Sequence, residues 1–221
     1  MDSITPSRLA IDVVSDVVCP WCYIGKRKLE QALAELRTRE PAIEVALRWH
    51  PFQLNPDLPA EGIPRAEYLE AKFGGGQRAA QIYARVRAVG SEVSIAFDFE
   101  RITRQPNTQD AHRLIAWAQQ AGDAEPLVEH LFHAYFIEGR SLGDAGELCA
   151  IAAEAGFARD SAQALLSSQT LRAEVNAEYR EAQDAGITGV PFFIFDGRTA
   201  LSGAHDPPTL LEAIAAARAA A

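Results

Sequence analysis

Cysteines, basic residues and long apolar runs are all scarce in this sequence of 221 residues. Only three cysteines are present, and a chain of this length can bury a core without disulfide staples. No stretch approaches the roughly 20 apolar residues that a membrane-spanning helix needs. Acidic residues outnumber basic ones by 30 to 21, for a net charge of -9, and no dense basic cluster offers a surface for phosphates. We therefore expect a soluble protein that binds neither membranes nor nucleic acid.

The N-terminus lacks the features of a secretory leader. Position 2 is acidic, no basic start precedes the apolar stretch, and Asp12 and Asp16 interrupt that stretch. A leader has a basic start and an unbroken apolar run. The sequence thus favours the reducing cytoplasm, where a close pair of cysteines is more often catalytic or metal-binding than structural.

A close pair of cysteines, Cys19 and Cys22, lies in the stretch CPWC. A disulfide across so small a loop would add little stability. A structural zinc site needs two further ligands, yet Cys149 stands alone and no second C-x-x-C or H-x-x-x-H pair is present. Haem attachment would need a histidine where Tyr23 stands. We expect no metal, and redox chemistry is the interpretation that remains.

The cysteine pair lies where a predicted strand is followed by a predicted helix. Residues 9–18 are rich in β-branched residues, which favour a strand, and from Pro20 onward apolar residues recur at helical spacing. Proline suits the first position of a helix, which places Cys19 at the N-cap. There the free N–H groups and the helix dipole stabilise a thiolate. Cys22 lies one turn further in and is more shielded, so the two thiols are predicted to differ.

A second informative stretch, DAGITGVPFFIFDGRTALSGAHDPPTLLEA, lies near the C-terminus. Its pattern predicts the end of a helix at Gly186, a strand VPFFIF, a hairpin partner across Asp196 and Gly197, and a final helix that opens at two prolines. The helix that ends there is predicted over about 171–185, in LRAEVNAEYREAQDA. A further strand is predicted over residues 43–49, after the cysteine helix. The predicted order is therefore β-α-β, a long excursion, and then α-β-β-α.

Together these motifs resemble a known family. CPWC at a helix start and GVPFF before a two-strand ending are similar to the thioredoxin fold, and within it to the DsbA-like group with a helical insertion. The stretches DVVCPWCYIGKRKLE, PFQLNP, PNTQDAHRL, GITGVPFF and LSGA resemble its FrnE subgroup. The resemblance implies an α/β thioredoxin fold with an inserted all-helical subdomain. We expect the thioredoxin-like domain in residues 1–60 and 169–221 and the helical subdomain in residues 61–168.

The same resemblance implies the activity of a thiol–disulfide oxidoreductase or isomerase. Cys19 and Cys22 would be the catalytic dithiol, and Val190–Pro191 would form a cis-proline loop that faces it. The residues expected to contact substrate are Pro20, Trp21, Val190 and Pro191. The substrate would be a disulfide-containing protein or a small thiol. No cofactor is expected beyond the redox-active disulfide, glutathione is a candidate co-substrate, and a homodimer is compatible with the insertion.

Another enzyme class stays open. Glutathione-dependent isomerases and kappa-type glutathione transferases of the same superfamily resemble this chain in PFQLNP and SGA, but they usually have serine at the position of Cys19. Asn55 and Ser202 would then contact glutathione. The direction of disulfide exchange, whether oxidation, reduction or isomerisation, also stays open.

A non-enzymatic interpretation is a groove that binds a peptide client while the thiols are idle. Phe52 and Trp117 are expected either to line such a groove with Trp21 or to lie in the core. Cys149, in the amphipathic pattern GELCAIAAEAG, is expected to be buried in a helix and inert.

Overall fold

A mixed four-stranded sheet forms the centre of the fold. A computed structural model describes residues 8–219. In chain order its elements are β1 (Arg8–Ser15), α1 (Pro20–Arg39), β2 (Glu44–Pro51), β3 (Ile63–Pro64), α2 (Arg65–Phe73), α3 (Gly76–Glu92), a 3₁₀ helix (Phe99–Arg101), β4 (Arg104–Gln105), α4 (Gln109–Ala121), α5 (Glu125–Phe136), α6 (Ala145–Glu154), α7 (Arg159–Leu166), α8 (Arg172–Asp184), β5 (Phe192–Phe195), β6 (Thr199–Ser202) and α9 (Pro207–Ala219).

The sheet has the strand order β2-β1-β5-β6. β1 and β2 run parallel, whereas β5 is antiparallel to both β1 and β6. Helices α1 and α9 pack against each other, and α4 and α8 pack against β2. The predicted order β-α-β, then α-β-β-α, is confirmed by β1-α1-β2 and α8-β5-β6-α9.

Strand β1 ends at Ser15, earlier than the predicted end at residue 18. The reason is Asp16, which turns the chain with its own hydrogen bonds. Its carboxylate Oδ2 accepts a hydrogen bond from the Leu54 N–H at 2.8 Å, and its backbone carbonyl accepts one from the Cys19 N–H at 3.0 Å. The turn brings Cys19 to the start of α1.

The predicted hairpin joins β5 and β6. The turn spans residues 196–198, and its first two residues, Asp196 and Gly197, have φ values of 49° and 65°, left-handed conformations that tight hairpin turns favour. The Asp196 Oδ1 also accepts a hydrogen bond from the Ala10 N–H at 2.8 Å. This bond ties the turn to β1 and so fixes the hairpin against the sheet.

Helices α2 to α7 lie between β2 and α8, in the segment predicted to form the helical insertion. This segment also contains a two-stranded ribbon that the sequence pattern did not predict, in which Ile63 pairs with Gln105. One hydrophobic cluster runs from the sheet into these helices. The domain boundaries at 60/61 and 168/169 stay a prediction.

The outer edge of β2 is covered at Trp49 by a side chain of α4. The Trp49 N–H donates to Gln119 Oε1 at 2.6 Å, and Gln119 Nε2 donates to the Trp49 carbonyl at 3.0 Å. One amide side chain thus satisfies both backbone groups that a neighbouring strand would otherwise pair with.

A buried lysine joins α1 to α5. The Lys26 side chain is 3% exposed and its ammonium lies 2.7 Å from Glu125 and 2.8 Å from Glu129, and it also contacts Glu30 on its own helix. Burial alone would lower the pKa of Lys26, but the carboxylates of Glu125 and Glu129 outweigh it and raise the pKa above its ordinary value. Lys26 is therefore charged, and it neutralises carboxylates from both helices.

We expect Lys26→Met to destabilise the fold by about 3 kcal/mol, because it leaves the partly buried Glu125 without a counter-charge and leaves Glu129 and Glu30 with Arg27 alone. Urea unfolding followed by circular dichroism measures this change. The matched control is Lys72→Met on the exposed face of α2, which should change the free energy of unfolding by no more than about 0.5 kcal/mol. Equal stability of the two variants would contradict the role given to Lys26.

Candidate active site

Cys19 occupies the N-cap of α1, as predicted. Its backbone is extended, with φ -93° and ψ 112°, and Pro20 follows in the first turn of the helix. The Cys22 N–H donates to the Cys19 carbonyl at 3.0 Å. The Cys19 side chain makes no capping hydrogen bond, so its sulfur is not engaged by the first turn. Cys19 and Cys22 are both free thiols.

The two thiols differ in their surroundings. Cys22 is 2% exposed and Cys19 is 4% exposed. Burial raises the pKa of Cys22 well above its ordinary value, and the adjacent Cys19 sulfur raises it further because a second negative charge there is repelled. Ser15 and the Asp16 backbone oppose the rise only in part. Cys22 therefore keeps its proton more strongly than a free thiol does.

The loop before β5 lies across from Cys19. The Val190–Pro191 peptide bond is cis, as the resemblance implied. The Cys19 thiol donates to the Val190 carbonyl, with 3.5 Å between sulfur and oxygen, although the two residues are 171 positions apart. The Pro191 carbonyl accepts a hydrogen bond from the Gly203 N–H at 2.8 Å. The loop is thus fixed on one side by the hairpin and on the other by the cysteine.

A glycine in α1 permits this close approach. A Cβ atom on Gly25 would lie 2.9 Å from Pro191 Cγ and 3.2 Å from Phe193 Cζ. Glycine inside a helix costs about 1 kcal/mol relative to alanine. The sequence has glycine here because the Pro191 ring packs directly on the helix backbone.

The other predicted contact residues lie beside the pair. Pro20 and Trp21 are half-buried in the first turn of α1, and the Trp21 ring packs against the main hydrophobic cluster. Val190 is also half-buried and packs against that cluster and against a smaller one. Substrate contact by these residues stays a prediction.

Phe52 lies in the core, whereas Trp117 is half-buried and packs against the main hydrophobic cluster. Phe52 is 6% exposed and belongs to the small cluster on which Val190 packs. The Trp117 ring lies 5.4 Å from the ring of Phe157, between α4 and the turn after α6. Phe52 supports the loop from beneath, whereas Trp117 packs within the helical segment.

A polar group beneath the pair was not predicted from the sequence. It consists of Ser15, Asp16 and His112, which are all less than 6% exposed. The His112 Nε2 lies 3.0 Å from the Phe52 carbonyl and 3.4 Å from Asp16 Oδ1. His112 comes from α4, so only the packing of α4 on the sheet brings it here. The sequence signal that could have indicated this polar group is the presence of polar residues within the stretches SDVVC and QDAHRL.

Asn55 and Ser202, the two residues expected to contact glutathione, lie in different parts of the structure. Asn55 is half-buried and its Nδ2 has no hydrogen-bond partner among residues 8–219. Ser202 is exposed on β6, where it pairs with Phe192. Contact of either residue with glutathione stays a prediction.

Cys149 is buried in α6, as expected. It is fully buried, and burial raises the pKa of its thiol. Its inertness stays a prediction.

Two kinds of feature are absent from the part of the chain that the structure describes. None of its helices combines the length and apolar character needed to cross a membrane. No group of three or more histidine, cysteine or acidic side chains within residues 8–219 is arranged to hold a metal ion.

Comparison with known protein families gives a match over almost the whole chain. The model of the DSBA-like thioredoxin domain matches residues 10–215. The chain belongs to this family. Its fold, with the cysteine pair at the start of α1, is the DsbA-like thioredoxin fold.

Individual relatives agree with the family. A probable DsbA oxidoreductase from Streptomyces coelicolor has a similar structure, with a TM-score of 0.84, 31% identity, and coverage of 96% of this chain and 90% of that one. The uncharacterized protein YwbO of Bacillus subtilis is 25% identical over 209 residues, 92% of this chain and 94% of YwbO. The cytosolic disulfide reductase DsbM from Pseudomonas aeruginosa, solved with GSH, shares the fold with a TM-score of 0.58, 19% identity, and coverage of 95% of this chain and 96% of that one.

We expect Gly25→Ala to lower the free energy of unfolding by about 1–2 kcal/mol, because the added methyl group overpacks the contact with Pro191. It should also slow disulfide exchange, since displacement of Pro191 moves the Val190 carbonyl away from Cys19. The matched control is Gly76→Ala at the start of α3, where a Cβ meets no atom within 4 Å. Thermal unfolding and an insulin-reduction assay measure the two effects. A Gly25→Ala variant as stable and active as Gly76→Ala would contradict the importance of this contact.

Proposed function

We propose that this protein is a thiol–disulfide oxidoreductase that exchanges disulfides through Cys19 and Cys22. The observation that carries the proposal is the difference between the two thiols, with Cys19 at the helix N-cap and Cys22 buried behind it with a raised pKa. Only a thiolate attacks a disulfide. The arrangement supports Cys19 as the attacking thiol and Cys22 as the resolving one.

The reaction has two exchanges. The Cys19 thiolate attacks one sulfur of the substrate disulfide, a new S–S bond forms, and the other substrate sulfur leaves as a thiolate. Cys22 then attacks the sulfur of Cys19, and the second substrate sulfur leaves. The substrate is reduced to two thiols and the Cys19–Cys22 pair is oxidised to a disulfide. The reverse sequence oxidises a substrate dithiol.

Substrate would bind along the Val190–Pro191 loop. The Val190 carbonyl lies 3.5 Å from the Cys19 sulfur, so a chain segment that presents its sulfur to Cys19 passes directly beside this backbone. Extended segments bind to such exposed backbone by strand-like pairing. Pro20 and Trp21 flank the same position. This placement supports a disulfide-containing protein, or a small thiol compound, as substrate.

The cellular location of the protein and its subgroup within the family are also part of the proposal. The stretches CPWCYIG and GITGVPFF support the FrnE subgroup, and an isomerase activity fits the same dithiol. The cytoplasm is the proposed location, which is compatible with the similar fold of the cytosolic disulfide reductase DsbM. Glutathione as a co-substrate and a homodimeric assembly stay predictions.

We expect Cys22→Ser to accumulate a mixed disulfide on Cys19 after exposure to oxidised glutathione, because the attack survives but resolution does not. Cys19→Ser should form none, since the remaining thiol is buried and its pKa is raised. Intact-protein mass spectrometry shows which variant carries glutathione. Cys149→Ala is the control, and it should behave as the unaltered protein does. A stable adduct on Cys19→Ser, with none on Cys22→Ser, would reverse the two roles.

A second candidate function is that of a glutathione-dependent isomerase or kappa-type glutathione transferase. The observation in its favour is Asn55, whose buried Nδ2 has no partner among the described residues. The dithiol favours the oxidoreductase, because a transferase needs no second cysteine.

Two assays separate the candidates. The unaltered protein should reduce insulin disulfides with a thiol reductant and should not conjugate glutathione to an electrophile such as 1-chloro-2,4-dinitrobenzene. Asn55→Ala should leave insulin reduction unchanged. Cys22→Ser should lose insulin reduction, because its mixed disulfide cannot be resolved within the protein. Conjugation activity that is lost in Asn55→Ala and kept in Cys22→Ser would favour the transferase.

A further inference from the structure

Lys28, like Lys26, is a lysine of α1 whose side chain is buried, and it is 8% exposed. Its ammonium donates to Asp206 Oδ1 at 2.5 Å and to the Ala204 carbonyl at 3.3 Å. A lysine is buried only where its charge has partners. Both partners of Lys28 belong to the connection between β6 and α9, the 203–206 loop. Lys28 therefore fixes this loop to α1.

The 203–206 loop in turn holds the Val190–Pro191 loop. The Gly203 N–H donates to the Pro191 carbonyl at 2.8 Å. Gly203 has a φ of 103°, a conformation that side chains other than that of glycine rarely allow. On the other side, the Val190 carbonyl accepts from the Cys19 thiol at 3.5 Å. The position of the Val190 carbonyl beside Cys19 thus depends on where the 203–206 loop lies.

The 203–206 loop is stiffened by its own hydrogen bonds. The His205 N–H donates to the Gly203 carbonyl at 3.0 Å. The His205 Nε2 lies 2.9 Å from the Ser202 carbonyl, and a carbonyl can only accept, so Nε2 carries a proton and donates. Because the loop is bonded within itself, a contact made at Ala204 also restrains Gly203.

Helix α1 contacts both loops from one side. Gly25 and Lys28 are three residues apart, so they face the same side of the helix. Gly25 lies against the Pro191 ring, and Lys28 reaches the neighbouring loop. Cys19 at the N-cap is nine residues from Lys28, about 14 Å along the helix axis. The contacts form a closed ring through Cys19, Val190, Pro191, Gly203, Ala204 and Lys28.

The two hydrogen bonds of Lys28 differ in what they hold. The Asp206 side chain is 75% exposed, so water screens this ion pair and weakens it. The bond to the Ala204 carbonyl is made to the backbone of the 203–206 loop itself. The backbone bond, more than the ion pair, therefore restrains the loop that contacts Pro191.

We propose that Lys28 is a positioning residue for disulfide exchange, which holds the Val190 carbonyl beside Cys19 through the 203–206 loop. This role rests on the proposed function, in which an extended substrate segment pairs with the backbone at Val190. A peptide substrate needs that backbone in place, whereas a small disulfide without a chain does not. Loss of the Lys28 contact therefore slows exchange with peptides selectively.

The restraint on the loop is measured by amide hydrogen exchange, followed by NMR. We expect Lys28→Met to speed exchange at the Gly203 N–H by roughly tenfold, the factor that loss of one hydrogen bond from a charged donor gives. The amides by which β1 pairs with β2 should keep their rates. Lys28→Arg should restore most of the protection, because a guanidinium also donates to two oxygens.

The effect on exchange is measured with two probes. One is a short peptide whose single cysteine forms a disulfide with thionitrobenzoate, and the other is 5,5′-dithiobis(2-nitrobenzoate), which has no peptide chain. Attack by Cys19 releases thionitrobenzoate from both. Lys28→Met should react with the peptide roughly tenfold more slowly and with the small disulfide at an unchanged rate. Lys28→Arg should recover the peptide rate. Asp206→Asn should slow the peptide reaction by less than about twofold, since the screened ion pair contributes little.

Lys72→Met, at an exposed position of α2, is the matched control and should match the unaltered protein in both experiments. Unchanged Gly203 exchange in Lys28→Met, equal slowing with both probes, no recovery in Lys28→Arg, or an equal loss in Asp206→Asn would overturn the role of Lys28. Failure of the unaltered protein to react with either probe would instead refute the dithiol exchange. The Gly203 exchange rate distinguishes the two failures, because it reports the Lys28 contact without any substrate.

Discussion

The antiparallel pairing of β1 with β5 is the constraint on which the candidate site depends. The register places Val14 opposite Phe192, so the chain that leaves β1 toward Cys19 and the chain that enters β5 from Val190 lie side by side. A register shift would move the Val190 carbonyl away from the Cys19 sulfur and turn alternate side chains of β5 to the other face. The tie between Asp196 and Ala10 and the packing of Pro191 on Gly25 hold this one register from both ends of the strand.

The two cysteines are both buried, but their sulfurs have different neighbours. The helix start leaves the Cys19 sulfur without a cap, whereas the Cys22 sulfur lies between the helix and the end of β1, where desolvation favours the protonated form. The same packing that keeps Cys22 protonated separates it from bulk water. Ser15, Asp16 and His112 are the buried polar side chains at this end of β1 and on the helix packed against it.

Local signals were sufficient to predict the main elements of the fold. CPWC after a β-branched stretch predicted the strand-to-helix junction, and Asp196–Gly197 between two apolar runs predicted the hairpin, because both depend on neighbouring residues. The end of β1 at Ser15 was not predicted, since it depends on a hydrogen bond between Asp16 and Leu54. The contacts of Lys26 with α5 and the position of His112 near Asp16 depend on how the helices pack on the sheet. No spacing in a single sequence encodes such contacts.

The hydrogen bonds that the Gln119 side chain of α4 makes to the backbone of β2 also restrict how this protein can assemble. At Trp49 both backbone groups of the outer strand are already bonded to one side chain, so another chain cannot add to the sheet in register at that point. The opposite end of the sheet is β6, whose Ala200 and Ser202 are exposed. The Gln119 contact thus closes the outer edge of β2 at this residue, while β6, the other edge of the sheet, lies on the hairpin side next to the Val190–Pro191 loop.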